Sequence, residues 1–265
     1  MNYKTAKRME YLPFSGIRAV MEKAVKMQKA GEKVIHMEIG RPDFDTPEKI
    51  KEAANRSLAK GNVFYTSNYG TPELREAIAQ KELLNNHVAY EPSEVLVTVG
   101  VGEGTYAAFA ALIEEGDEVL VPDPVWLNYI HVPASLGAVP VSYSLKEEDD
   151  FQMDVKELER KITKRTKMIV IIDPSNPTGG VFTEDTLKQV AEIAIRYDLF
   201  VLSDEIYEQL VYDGAKHISI ASLPGMKERT ITLSGFSKGY SMTGWRLGYM
   251  CAPKEIIEAC VRVHQ

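Results

Sequence analysis

From residue 93 onward, short apolar runs alternate with longer segments in which apolar residues recur every three to four positions. Runs such as MIVII at residues 168–172 are rich in β-branched residues, which is typical of strands buried on both faces of a sheet. The longer segments have the period of amphipathic helices. Strands are predicted at residues 95–99, 118–121, 139–143, 168–172, 199–203, 230–233 and 245–251, and helices at residues 103–113, 125–136, 155–162, 184–197 and 254–263.

This alternation predicts the α/β class, with a mostly parallel seven-stranded sheet flanked by helices. The part of the chain before residue 93 is less regular. It contains a predicted helix with Ser15 as its N-cap, a strand-like run at residues 34–38 and the irregular stretch IGRPDFDTP at residues 39–47. Two more helices are predicted, one capped by Thr46 with Pro47 at its first position, and one that opens with TPELREAIA at residues 71–79.

The composition is that of a globular protein and argues against some classes of partner. Of the 265 residues, 45% are hydrophobic and 26% charged, and the net charge is −7. No run of Lys and Arg is long enough to follow a phosphate backbone, so neither nucleic acid nor an anionic membrane surface is expected as a partner. No apolar run reaches the length of a membrane span. The two cysteines form no CxxC pair and the five histidines are scattered, so we expect a reducing cytoplasm and no metal site.

The stretch SGFSKGYSMTGWRLGYM at residues 234–250 carries the most specific candidate chemistry. It places Lys238 in a Gly- and Ser-rich turn after one strand-like run, and Arg246 at the start of the next. A lysine held in a turn can condense with an aldehyde, and an arginine offers a planar fork of donors to a phosphate. An aldehyde and a phosphate on one small ring describe pyridoxal phosphate (PLP). On its own, Lys238 is typical of a solvated surface lysine. A PLP site is therefore indicated only if the rest of the chain supplies the other groups that bind this cofactor.

Other polar groups follow the ends of predicted strands, where sheets of this kind bind ligands. The sequence GVGEG at residues 100–104 opens a helix, whose free N–H groups can bind phosphate. A dinucleotide fingerprint would need glycine at position 105, which is Thr105, so that alternative fails. A Gly-rich turn without function remains an alternative.

Two further strand ends supply an amide and a carboxylate. Asn176 follows the run at 168–172, and Asp204 follows the run at 199–203. An unpaired carboxylate at the end of a buried strand is costly, and a pyridinium N–H would relieve that cost; a helix N-cap is the alternative. Tyr207, three residues after Asp204, is placed to face the same pocket.

The chain resembles the PLP-dependent class I/II aminotransferases of fold type I, essentially over its whole length. The matching stretches are IGRPDFDTP, YTSNYGTPELREAIA, TVGVGEG, GDEVLVPDPVW, DPSNPTGG, SDEIY and SKGYSMTGWRLGY. The resemblance implies that Lys238 holds PLP as the internal aldimine and that Asp204 pairs with the pyridine nitrogen. Asn176 and Tyr207 would hydrogen-bond the ring's phenolic oxygen.

The same resemblance implies the remaining contacts. The phosphate would be bound by Ser237, Arg246 and the Gly100-Val101-Gly102 backbone. Trp126 would stack on the ring, and Gly40, with Asn176, would lie close to the substrate carboxylate. Tyr65 would reach the phosphate in the neighbouring subunit, which implies a homodimer with shared active sites.

The resemblance also implies how the chain is divided. Residues 1–46 would form an N-terminal arm and part of a small domain, and residues 47–265 the PLP-binding large domain. The rest of the small domain, with the arginine that binds the substrate α-carboxylate, would be absent from this chain. Gly102 stands where family members often have a hydroxyl residue, and Gly235 where they often have a serine, so the phosphate site would lose a donor at each.

The function implied is transfer of an amino group from an L-amino acid to a 2-oxo acid in the cytoplasm. Three alternatives stay open. The same scaffold could support a PLP-dependent β-lyase or related carbon–sulfur lyase, because the motifs specify the cofactor and not the fate of the substrate carbanion. A ligand-sensing module is the second, although no basic DNA-binding segment is visible. An inactive, truncated fragment is the third.

Overall fold

One seven-stranded sheet organises the computed structural model of the chain, which describes residues 4–14 and 16–265. The strand order is β1-β7-β6-β5-β4-β2-β3. The strands are β1 Val95–Thr98, β2 Glu118–Asp123, β3 Val139–Ser144, β4 Thr166–Ile172, β5 Phe200–Asp204, β6 Thr230–Gly235 and β7 Gly248–Cys251. The helices are α1 Gly16–Lys29, α2 Glu48–Ala59, α3 Pro72–Asn86, α4 Gly100–Leu112, α5 Asn128–Ser135, α6 Val155–Arg160, α7 Glu184–Arg196 and α8 Lys254–His264.

Strand β7 runs in the direction opposite to the other six strands of this sheet. It pairs antiparallel with β1 and β6, whereas the pairs β2–β3, β2–β4, β4–β5 and β5–β6 are parallel. The connections from β2 to β3 and from β4 to β5 contain α5 and α7, whereas that from β5 to β6 contains only short 3-10 helices. Strand β6 returns directly as β7 through the segment that carries Lys238. The predicted mostly parallel, seven-stranded α/β sheet is confirmed.

Alternate residues of the central strands pack on opposite faces of the sheet. In β4, Met168 and Val170 belong to a core formed with helices α4, α5 and α8, whereas Ile169 and Ile171 belong to a core formed with α6 and α7. All four side chains are buried. The run MIVII is therefore apolar throughout because both faces of its strand are covered.

Several local predictions differ from the structure. The run at residues 34–38 forms no strand; Ile35 is 80% exposed and Met37 is 87% exposed. No ladder partner lies beside this run in the described part of the chain, and an extended segment without one is not held as a strand. Thr46 does not cap α2, since its hydroxyl donates to the Ser241 carbonyl at 2.5 Å. The predicted cap Ser15 lies outside the described residues.

Three boundaries move for local reasons. Helix α4 begins at Gly100, earlier than predicted, because the glycine-rich turn is itself its first turn. Helix α5 begins at Asn128 rather than at residue 125. Strand β7 begins only at Gly248, because residues Thr243–Trp245 form a 3-10 helix and Arg246 adopts a left-handed φ of 56°.

No helix in residues 4–14 and 16–265 combines the length and the apolar composition that a membrane span requires.

Helix α3 begins as predicted, since the Thr71 hydroxyl accepts a hydrogen bond from the Leu74 N–H and Pro72 occupies the first turn.

Candidate active site

A pocket of about 210 Å³ lies where the carboxyl ends of the parallel strands meet the N-terminus of α4. Because β7 runs antiparallel, the residues just before it reach the same edge of the sheet as the residues just after β6. Lys238 and Arg246, separated by a turn and a 3-10 helix, therefore face one cavity. The pocket is lined by Val101, Gly102, Trp126, Asn176, Asp204, Ile206, Tyr207, Ser237, Lys238 and Arg246. All of these except Ile206 are candidate site residues from the sequence.

Lys238 is held by the turn that follows β6. Its Nζ donates to the Gly40 carbonyl at 2.6 Å and lies 5.4 Å from the centre of the Tyr207 ring. Burial lowers the pKa of Lys238, and the negative charge of Asp204 opposes this effect. A lowered pKa increases the neutral fraction of the amine, which is the form that attacks a carbonyl carbon.

Asp204 ends β5, and its carboxylate is buried without a cation. The Tyr129 hydroxyl donates to Oδ2 at 2.7 Å and the Ile206 N–H donates to Oδ1 at 3.2 Å. No ion pair within 4.0 Å involves Asp204 in the described chain. Burial raises the pKa of Asp204 to about 6, against the effect of these two hydrogen bonds. The site thus has a carboxylate that a cationic N–H donor from a ligand would satisfy.

Tyr129 is a site residue that the sequence reasoning missed. It lies three positions after Trp126, at the start of α5, and its ring meets that of Trp126 edge-on at a centroid distance of 5.6 Å. The side chain is fully buried and orients the Asp204 carboxylate. The only sequence signal was this spacing, which places two aromatic residues on one face of a helical turn.

The arginine of the site lies against a glycine. A Cβ at Gly100, whose φ is +74°, would lie 2.5 Å from Nη2 of Arg246. A Cβ at Gly248 would lie 2.8 Å from the backbone nitrogen of Val101. The two glycines therefore let the guanidinium and the first N–H groups of α4 approach one space. Arg246 is fixed from the other side, since its Nη1 donates to the Thr243 carbonyl at 2.9 Å. A guanidinium beside a helix N-terminus favours a phosphate.

The other candidate residues lie at different distances from this pocket. Gly40 contacts the pocket through its carbonyl, which accepts from Lys238. Gly100 does not line the cavity but packs against the guanidinium of Arg246. Tyr65 is fully exposed and is not among the lining residues. Its predicted contact is with a neighbouring subunit, and that contact stays a prediction.

Together, these groups define a class of site. A half-buried amine of lowered pKa, a carboxylate without an ion-pair partner and an anion-binding helix end surround a cavity with one wall formed by Trp126. This arrangement suits an aromatic aldehyde that carries both a phosphate and a ring nitrogen. It agrees with a family match: the Aminotransferase class I and II family matches residues 32–265, so the chain belongs to that family.

Individual relatives agree with this assignment. The chain is 45% identical over 251 residues to a "probable aspartate/prephenate aminotransferase" of Aquifex aeolicus, covering 94% of this chain and 64% of the relative. It is 43% identical over 257 residues to the aspartate aminotransferase of Geobacillus stearothermophilus, covering 97% of this chain and 65% of the relative. The structure of Thermus thermophilus aspartate aminotransferase with maleate superposes with a TM-score of 0.95 at 39% identity, covering 99% of this chain and 68% of that chain.

These comparisons confirm the predicted family and fold. The chain spans 64–65% of the length of these two curated relatives. The family is PLP-dependent, and the residues present fit that cofactor on three observations from this structure. Asp204 lacks a cationic partner, Lys238 has a lowered pKa, and Gly100 leaves room for the guanidinium of Arg246 at the start of α4.

Proposed function

We propose that this chain carries the cofactor site of a PLP-dependent aminotransferase, which moves an amino group from an L-amino acid to a 2-oxo acid. One observation carries the proposal: Lys238 and Arg246, from the connection between β6 and β7, line the same pocket as Asp204, which ends β5. An amine, a carboxylate and a guanidinium match the aldehyde, the ring nitrogen and the phosphate of one small molecule.

Each residue has a binding role in this proposal. Arg246, Ser237 and the first N–H groups of α4 bind the phosphate. Asp204, oriented by Tyr129, holds the protonated ring nitrogen by charge.

The aromatic and amide side chains of the pocket orient the ring. Trp126 covers one face of it. The side chains of Asn176 and Tyr207 donate to its phenolic oxygen.

When bound, PLP supplies an electron sink for the carbanion that forms at the substrate α-carbon. Lys238 supplies the proton transfer. As a neutral amine, its Nζ accepts the proton from the α-carbon and then returns it on the cofactor side, which is general base and general acid catalysis by one group. Burial, which lowers the pKa of this amine, keeps more of it neutral than an exposed lysine would be.

The domain division and assembly belong to the proposal. Residues 1–46 would form the N-terminal arm and part of a small domain, and residues 47–265 the PLP-binding domain. A homodimer is supported by the full exposure of Tyr65 beside the exposed Phe64, since two adjacent aromatic side chains in water are a common feature of contact surfaces. We propose the cytoplasm as the location, in line with two free, buried cysteines.

Relatives at 41–45% identity are named for aspartate, prephenate or aromatic amino acids. We therefore propose L-aspartate as the first amino donor to test, with L-tyrosine and L-phenylalanine next. Gly40 and Asn176 are the residues of this chain proposed to lie near the substrate carboxylate. Formation of pyruvate and ammonia without an added 2-oxo acid would instead support the lyase alternative.

The test is to trap the cofactor on its lysine. The purified chain is titrated with PLP, reduced with borohydride and digested, and the modified peptide is identified by mass spectrometry. We expect the label on Lys238 in the wild type and in Lys60→Ala, where an exposed lysine is removed as a control, and no specific label in Lys238→Ala. Stoichiometric labelling of the Lys238→Ala variant at another lysine would contradict the proposal.

A further inference from the structure

Behind the pocket, His217 joins two carboxylates that do not themselves line the cavity. Its Nδ1 lies 3.2 Å from Oδ2 of Asp173, and its Nε2 lies 3.1 Å from Oε2 of Glu205. The His217 side chain is 5% exposed, and both carboxylates are more deeply buried still. From the sequence, His217 was only one of five scattered histidines.

The geometry makes this histidine an imidazolium. Ionised carboxylates only accept hydrogen bonds, so a ring with a carboxylate at each nitrogen needs a proton on both. Burial by itself lowers the pKa of His217. The hydrogen bonds to Asp173 and Glu205 outweigh this effect and raise that pKa to about 10. Burial raises the pKa of Asp173, and the contact with His217 opposes this. A carboxylate oxygen of Glu208 also lies within 4.8 Å of Glu205 and His217, and Glu208 is itself bound by Lys81.

The two carboxylates begin two adjacent walls of the pocket, because they follow the neighbouring parallel strands β4 and β5. Asp173 opens the loop that carries Asn176, and its Oδ1 accepts from the Phe182 N–H at 2.8 Å, which closes that loop. Glu205 directly follows Asp204 and precedes Tyr207 by two residues.

The carboxylate of Glu205 is held firmly. Its Oε1 accepts from the hydroxyls of Ser203 and Ser219 at 2.8 and 2.9 Å. The imidazolium is thus the side-chain link between the wall that bears Asn176 and the wall that bears Asp204 and Tyr207.

We propose that His217 is a positioning residue for the cofactor pocket: beyond the end of the β4–β5 ladder, it binds Asp173 and Glu205 at once and so holds the loop that carries Asn176 against the segment that carries Tyr207. This inference rests on the proposed function, because its consequences are measured as the affinity for PLP and the absorbance of bound PLP. A site whose supporting hydrogen bonds are removed loses affinity because its binding groups are no longer held in the productive arrangement.

The chain offers a matched control for a purely structural role. Lys81 also joins two buried carboxylates, those of Glu82 and Glu208, but it contacts no residue that lines the cofactor pocket. His217→Gln and Lys81→Gln therefore make the same change, a cation to an amide between two acids. Both should lower the free energy of unfolding, and only the first should alter the pocket.

The experiment titrates PLP into the full chain and records the dissociation constant and the midpoint pH of the visible absorbance of bound PLP. For His217→Gln we expect a dissociation constant about tenfold higher than the wild type, which corresponds to roughly 1.4 kcal/mol. We also expect the midpoint to rise by about half a pH unit, because Asn176 and Tyr207 donate less well to the phenolic oxygen and the extra negative charge favours the protonated form. Lys81→Gln should keep the wild-type midpoint and an affinity within about threefold.

Equal behaviour of the two variants in both measurements would overturn the inference. If His217→Gln does not fold, Asp173→Asn and Glu205→Gln replace it, since each weakens one half of the link and keeps an oxygen acceptor. Weaker PLP binding by either supports the role of His217, and wild-type binding by both overturns it. A wild-type chain that fails to bind PLP would overturn the proposed function as well, which separates the two failures.

Discussion

The pocket and the neighbouring cluster on helix α3 handle buried charge in opposite ways. In the α3 cluster, formed by Lys81, Glu82, Asn86, Glu208 and Tyr249, each carboxylate is bound by Lys81 and by neutral donors. Asn86 donates to both Glu82 and Glu208 at 2.8 Å, and the Tyr249 hydroxyl donates to Glu82 at 2.8 Å. In the pocket, Asp204 has two neutral donors and no ion-pair partner within 4.0 Å among the described residues.

This difference separates a structural site from a binding site. A buried charge whose partners all come from the protein contributes to one folded arrangement, and nothing further has to bind. A buried charge without a counterion raises the free energy of the free protein and is relieved when a ligand brings that counterion. Asp204, which ends β5, and Glu208, four residues later, thus have different roles because their surroundings differ.

Removing the cation of the α3 cluster should have the largest effect on stability. Lys81→Gln leaves the carboxylates of Glu82 and Glu208 buried without their countercharge, and losing one partner of a buried ion pair costs about 3–5 kcal/mol. Urea unfolding of the PLP-free chain at pH 8 measures this loss. An unchanged free energy of unfolding at pH 8 would mean that the pair is not a structural element.

Neutralising the pocket carboxylate, Asp204, should raise the free energy of unfolding of the PLP-free chain instead of lowering it. A pKa of about 6 for Asp204, raised from its ordinary value of 3.8, corresponds to a cost on the order of 3 kcal/mol when the carboxylate is ionised. Asp204→Asn should therefore stabilise the PLP-free chain at pH 8 by up to that amount. Because the folded pKa is raised, the cost is absent below about pH 3.8 and complete above about pH 6, so the advantage should vanish on acidification.

The same variant should bind PLP more weakly, which is the second half of the test. Thermal unfolding with and without PLP measures both effects in one series. Destabilisation of the PLP-free Asp204→Asn variant at pH 8 would show that the carboxylate is already satisfied by Tyr129 and Ile206.

The smallest effect is expected from the hydroxyl that orients this carboxylate. Tyr129→Phe removes the donor to Oδ2 and should cost about 1.5 kcal/mol at pH 8, which is typical of a hydrogen bond to a charged group. The cost should be smaller at pH 5, where Asp204 is largely protonated. Loss of a donor to the ionised form also moves the pKa of Asp204 further up. Carbon-13 NMR of the labelled carboxyl group measures that shift, and a pKa that stayed near 6 would contradict the assigned role.

Much of the fold could be predicted because its periodicity is local. The run at 168–172 is apolar at every position, so it had to be covered on both faces, and strand β4 is. The run at 34–38 also favours a strand locally but forms none, because a strand depends on a neighbour that its own residues do not specify. Arg246 is a second example. The local pattern at residues 245–251 predicts a strand, but Arg246 has a left-handed backbone conformation and lies before β7.

Some residues of the candidate site could likewise be predicted from local sequence, and others could not. Lys238, Asp204 and Arg246 could be picked out because each is an unusual residue for its position: a lysine in a Gly- and Ser-rich turn, an acid ending an apolar strand and an arginine preceding one. Tyr129 and His217 could not: the three-residue spacing of Tyr129 from Trp126 is common in helical turns, and an isolated histidine has no local pattern that distinguishes it. Their importance comes from partners that are 75 and 44 residues away in the chain.

By itself, the sequence determined the order of strands and helices, the residue types at the strand ends and the resemblance to a PLP-dependent family. Only the tertiary structure decided which polar groups share a cavity, which carboxylate is left without a cation and which histidine links the two walls behind it. The physical reason is that periodicity and turn chemistry act over a few residues, whereas desolvation and charge pairing depend on every element packed around a group.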